Sequence, residues 1–153
     1  MKFDDIVMND DMVENINGTL ALTHLYHINI KNLDKLEKVE IDLNKKEDDV
    51  YLKLINLSFE LMEKYNYNFP PDRLLEVLKT FNNLGFLNKK VTVHYFDKPN
   101  PLIITDNINF LIFGEVYTMS PEALKELKKW KESQKKGKEK GIFITKLIKA
   151  RVD

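Results

Sequence analysis

The sequence predicts an α+β fold, a mixed or mainly antiparallel sheet packed by one amphipathic helix and followed by a basic C-terminal helix. Three observations carry that expectation. The segments Lys38–Leu43 and Val91–Phe96 alternate apolar and polar residues as half-buried strands do. The proline-led segment after Phe69 places Leu74, Leu75, Leu78 and Phe81 at helical spacing. Between residues 91 and 117, β-like runs are separated by short turn signals rather than by helix-length segments, which suits antiparallel neighbours.

Taken in order, residues 10–17 read as a short helix, with Asp10 or Asp11 as cap and Gly18 as stop. Thr19 to Ile30 (TLALTHLYHINI) is rich in β-branched and aromatic residues and reads mainly as strand. Lys38 to Leu43 puts Val39, Ile41 and Leu43 on one face of a strand. Val50 to Tyr65 (VYLKLINLSFELMEKY) alternates in its first half and turns helical around Phe59 and Met62. It reads as a strand running into a helical turn, or as one continuous helix.

Phe69-Pro70-Pro71-Asp72 is a helix entry, because a proline in the first turn lacks an N–H that would have no partner there. The helix covers about residues 71–83 and ends before Gly85. Val91–Phe96, Leu102–Thr105 and Ile108–Tyr117 are expected strands, with Asp97-Lys98-Pro99-Asn100 and Asp106-Asn107 as turns and Gly114 as a bulge. Ser120-Pro121-Glu122 opens a last helix, with serine as cap and an acid near the positive end of the helix dipole. Ala123, Leu127 and Trp130 form its narrow apolar stripe. Gln134–Gly141 reads as a solvated linker and Gly141-Ile142-Phe143-Ile144 as a closing edge strand. The expected organisation is one α+β domain over residues 1–118 and a basic helical extension over 119–153.

A chain of 153 residues, 43% hydrophobic and 31% charged, is long enough to bury a core unaided. It contains no cysteine, so thiol nucleophiles, Cys-ligated zinc and sulfur redox switches are excluded. No run approaches eighteen apolar residues, and the N-terminus is acidic where a secretion signal is basic and then apolar. A cytoplasmic protein with no membrane partner is expected. The formal charge is zero, yet residues 1–119 carry 13 basic and 19 acidic residues while residues 120–153 carry 11 and 5. Much of the acidity precedes residue 50, in Asp4, Asp5, Asp10, Asp11, Glu14, Glu37, Glu40, Asp42, Glu47, Asp48 and Asp49. Such segregation suggests that the ends interact, or that the basic end meets an acidic partner.

That basic end is the candidate binding site. Lys125, Lys128, Lys129, Lys135 and Lys136 would neutralise phosphates, and Trp130 would stack on a base. His24 and His27, spaced i, i+3, are the candidate metal pair, aligned by a helix and separated by a strand. Asp4, Asp5, Asp10 and Asp11 offer oxygen ligands without an accompanying phosphate loop. The chain has no GxGxxG, GxxxxGK[ST] or GxSxG motif and only five glycines. No cofactor is expected, and an enzyme is the less expected class.

Two resemblances follow from these elements. Residues 48–118 resemble half of a DNA sliding-clamp domain: VYLKLINLSFELMEKY, the helix PDRLLEVLKTF, then VTVHYF, NPLIIT and NFLIFGEVYTM. The resemblance implies a non-catalytic protein that binds partners or encircles duplex. Residues 49–105 also resemble a winged-helix DNA-binding domain, with LKTFNNLGFLNKK as the end of the recognition helix and Val91–Thr105 as the wing. That resemblance implies Arg73, Lys79, Asn82 and Asn83 near the groove and Lys89, Lys90 and Lys98 at phosphates. It lacks a third helix before residue 49, and residues 51–119 carry no net charge.

The expectation drawn from all of this is a non-catalytic interaction or scaffold protein, clamp-like and linked to nucleic-acid processing. A winged-helix DNA-binding protein is the first alternative, and a small metal-dependent enzyme using His24 and His27 the second. A contiguous apolar patch including Phe110, Phe113, Tyr117 and Trp130 would add a protein partner or a homo-oligomer.

Overall fold

The computed structural model describes residues 1–7, 13–16, 19–22 and 28–132, and side chains over 1–7 and 28–129. Its centre is a six-stranded sheet in the order β1-β2-β7-β6-β5-β3. The strands are β1 (Val13–Ile16), β2 (Thr19–Leu22), β3 (Glu37–Asp42), β5 (Lys90–Tyr95), β6 (Leu102–Thr105) and β7 (Phe110–Phe113). Every neighbouring pair is antiparallel. The α+β expectation holds, and the sheet is antiparallel throughout.

Between β3 and β5 the chain forms α2 (Glu47–Tyr65), the short strand β4 (Tyr67–Asn68) and α3 (Pro71–Asn83). Residues 50–65 are therefore helix from end to end. Val50, Leu54, Leu57 and Leu61 recur at i, i+4, i+7 and i+11 and join Leu74, Leu75, Leu78 and Phe81 of α3 over the sheet. Leu52, which gave the segment its strand-like alternation, is 41% exposed. Asn66 reverses the chain after α2 in the left-handed region, φ 58°, which asparagine tolerates better than most residues. Helix α3 begins and ends where its proline entry and Gly85 place it, and Gly85 takes φ 78° just past the helix.

Residues 13–16 form a strand where a helix was expected. The register Ile16↔Thr19 leaves Asn17-Gly18 as a two-residue connection, and Asn-Gly is the strongest short hairpin signal. The hairpin is held by Leu20↔Ile112 and Leu22↔Phe110, across to β7. Among the described residues of the Thr19–Ile30 segment, 19–22 are strand, Ile28 bridges Val7, and Ile30 opens one helical turn, α1 (Ile30–Leu33), capped by the Asn29 side chain. The run 108–117 divides into β7 and the short β8 (Tyr117–Thr118), which pairs with β4 instead of extending the sheet. Gly114 ends β7 rather than forming a bulge within it.

The pleat of the sheet sorts its side chains between two cores. Val91, Val93, Leu102, Ile104, Leu111 and Phe113 face α2 and α3. On the opposite face Ile103, Phe110 and Ile112 meet Ile6, Ile28 and Leu33 from the N-terminal segment. Phe110 and Phe113 are thus buried on opposite faces and supply no exposed patch. The exposed large apolar residues that do occur include Leu52, Leu84 and Ile108, on separate elements.

Helix α4 (Pro121–Glu132) packs on the back of α2, where Met119, Ala123 and Leu127 meet Ile55, Phe59 and Met62. The Ser120 Oγ accepts a hydrogen bond from the Ala123 N–H at 3.1 Å, the N-cap predicted from the sequence. Ser120→Ala is expected to cost about 1 kcal/mol in a urea titration, with Ser120→Asn recovering most of it. Equal loss in both variants would show that the cap contributes nothing.

Candidate nucleic-acid interface

Helix α4 divides its surface cleanly. Ala123 and Leu127 are buried, Leu124 is partly buried, and Lys125, Lys128 and Lys129 are exposed. Their spacing, i, i+3 and i+4, sets the three ammonium groups on one helical face turned away from α2. Lys129 reaches Glu126 at 3.7 Å, a pair between 75% and 54% exposed side chains that high dielectric makes weak. Cations held this way can exchange a solvated carboxylate for a phosphate at small cost.

Trp130 belongs to α4 by its backbone; its side chain, Lys135 and Lys136 lie outside the described residues. His24 and His27, Asp10 and Asp11, and the expected strand at 141–144 also lie outside them. Of the N-terminal acids, Asp4 and Asp5 occupy one exposed 3₁₀ turn, where the Asp5 carboxylate accepts from the Lys2 backbone N–H at 2.7 Å. Among the described residues no group of three or more histidines, carboxylates or cysteines is arranged to hold a metal ion.

The residues that a winged-helix reading would send to a DNA groove have other engagements. Arg73 donates to Glu115 and to Glu76, each at 3.2 Å, and Lys79 pairs with Glu47 at 3.0 Å. Asn82 donates to the Leu87 carbonyl at 2.9 Å and so fixes the turn after α3. The hairpin proposed as a wing, β5 and β6, lies inside the six-stranded sheet.

No protein-family model, curated protein or solved structure matches the chain. The chemistry of its own residues is therefore what informs function.

Two further features were not anticipated. The first is an acid-rimmed cleft of about 660 Å³ between the first turns of α2 and the length of α3 from Asp72 to Asn83, with Glu47, Asp48, Asp72 and Glu76 around Tyr51 and Leu75. Burial, and secondarily the Asp72 carboxylate, holds the Tyr51 phenol above its ordinary range. The acids that open the two helices could be read from sequence as helix-start chemistry; only the packing of α2 on α3 brings them together.

The second is a tyrosine group at the other end of α2. The Tyr65 hydroxyl donates to Glu37 at 2.5 Å, and that hydrogen bond, aided by desolvation, pushes its pKa up to about 12. Tyr67 stacks on Tyr65 with centroids 6.3 Å apart and donates to the Phe96 carbonyl. Phenols held protonated act as donors and not as bases at neutral pH, so this group ties α2 and β4 to the sheet. No helix of the described residues is long and apolar enough to cross a membrane.

Proposed function

We propose that this protein is a non-catalytic interaction protein that holds nucleic acid by its phosphate backbone, through α4 and the basic segment that follows it. The observation that carries the reading is the division of α4, whose apolar stripe is spent on α2 while Lys125, Lys128 and Lys129 stand together in solvent. Residues 133–153 add seven cationic residues against two acidic ones. Lysines recognise phosphate as point charges, with little selection among base sequences, which suits a scaffold more than a sequence reader.

The test is binding of single-stranded and duplex DNA across a salt series, by the full chain and by the K125Q/K128Q/K129Q variant. All three positions are exposed, so the fold is retained. The full chain is expected to bind with a steep salt dependence. The variant should bind more weakly, with the slope of log K against log salt flatter by about 0.7 for each lost contact to a single strand. Absence of binding, or an unchanged slope in the variant, would overturn the reading. Solution mass, recorded alongside, tests the clamp-like form: a ring requires several chains, and a monomer removes it.

A further inference from the structure

We propose that the acid-rimmed groove between α2 and α3 is the docking site of this chain's own C-terminal segment, residues 133–153. The direction of α4 brings that segment to it. The Met119 N–H donates to the Asn66 carbonyl at 2.7 Å, so α4 starts at the C-terminal end of α2. From there Met119, Ala123 and Leu127 form one cluster with Met62, Phe59 and Ile55, and α4 must run antiparallel to α2. Five residues beyond Leu127, at about 1.5 Å each, Glu132 reaches the level of the first turns of α2. Tyr51 joins the two places: it packs against the α4 cluster and also lines the groove.

The chemistry of the two surfaces matches. Four carboxylates rim the groove, and Leu75 and Tyr51 supply its apolar floor. The lining carries one lysine, Lys79, paired with Glu47, against four carboxylates, and Arg73 divides itself between Glu76 and Glu115. The segment after Glu132 alternates the complementary features, with Lys138, Lys140, Lys146 and Lys149 around Ile142, Phe143, Ile144, Leu147 and Ile148. A tether this short raises the local concentration of the segment to about the millimolar range, so weak surface ion pairs and a modest apolar contact are enough. Docking would occupy the lysines of residues 133–153, which the proposed phosphate contacts use in addition to those of α4, and the segment would act as an internal competitor for that share. The occupancy itself does not depend on nucleic acid being the external partner.

With no native cysteine, a single nitroxide can be placed through Thr145→Cys on the full-length chain. Paramagnetic broadening of the Tyr51, Leu75 and Thr80 amides is then read by NMR with no nucleic acid present. Strong broadening is expected, and it should vanish in the E47Q/D72N/E76Q background and at about 1 M salt, where the Debye length falls to about 3 Å. Those three acids are exposed, so the amide spectrum itself reports that the variant is folded. Broadening that is absent, or that survives neutralisation of the groove, would overturn the proposal. So would full broadening in a mixture of nitroxide-bearing and isotope-labelled copies, which would make a second chain the occupant. Because the sample holds no nucleic acid, these outcomes are separate from those of the DNA titration.

Discussion

Phe81→Ala is expected to destabilise the fold by about 3–5 kcal/mol, the range for emptying a buried aromatic site. Phe81 is 1% exposed on α3, within the cluster that joins both helices to the sheet, and meets Phe86 edge-on with centroids 5.6 Å apart. Its neighbours come from a helix, a strand and the turn between them, so the site cannot collapse by moving one side chain. Domains of this size have only about 5–15 kcal/mol in total, and the variant should unfold at far lower urea with an unchanged slope. Leu84→Ala, three residues on and 63% exposed, should shift stability by no more than about 0.5 kcal/mol. Similar losses at both positions would refute this account of the core.

The second large effect is a loss of stability in mild acid, centred on His94. Its residue pairs with Lys38 on one side and Ile103 on the other, on the sheet face covered by the N-terminal segment. It is 3% exposed, and among the described residues its Nδ1 has no hydrogen-bond partner. Desolvation, and then the Lys38 ammonium, lower its pKa from 6.5 to about 4, against weaker opposing pulls from Asp34 and a Leu33 backbone hydrogen bond. The unfolded chain therefore binds a proton between about pH 6.5 and pH 4 that the folded chain refuses. Stability is unaffected by this group above that window, falls as pH drops through it, and has lost up to about 3 kcal/mol at its lower end. His94→Leu should flatten the urea midpoint against pH between 4.5 and 7 relative to the parent. An unchanged pH dependence would show that other groups govern acid sensitivity.

The parts of the fold that were legible in the sequence are those whose signals are local. Proline at the start of α3, its four apolar positions and the glycine beyond its end lie within about one element, and α3 came out as read. Helix α2 was ambiguous because it is buried on two sides. Val50, Leu54, Leu57 and Leu61 face the sheet, Ile55, Phe59 and Met62 face α4, and the overlap of two stripes imitates the alternation of a strand. The β1–β2 pair was misread because Gly18, taken as a helix stop, also belongs to the Asn-Gly signal of a hairpin. The choice between them is made by β7, some ninety positions away in the chain.

The candidate site divides the same way. The lysines of α4 and their shared face follow from spacing alone, as does the serine cap. The acidic groove does not, because Glu47 and Asp72 are distant in sequence and each is explained by the helix it opens. Their sharing of one cleft is a product of tertiary packing, and with it comes an acidic surface whose charge answers that of the C-terminal segment.

The sheet ends at β3, whose outer side pairs with no strand among the described residues. An open strand edge is a template on which another chain can add, and so on toward a fibre. Here Lys38, Glu40 and Asp42 stand on the face of that edge away from the helices, where Lys38 and Glu40 are exposed. An added strand would have to strip water from charges of both signs at every second position. The border that looks most adhesive in the backbone is thereby protected against amyloid-like growth, and a Lys38→Val, Glu40→Val surface would forfeit that protection while leaving the interior of the protein untouched.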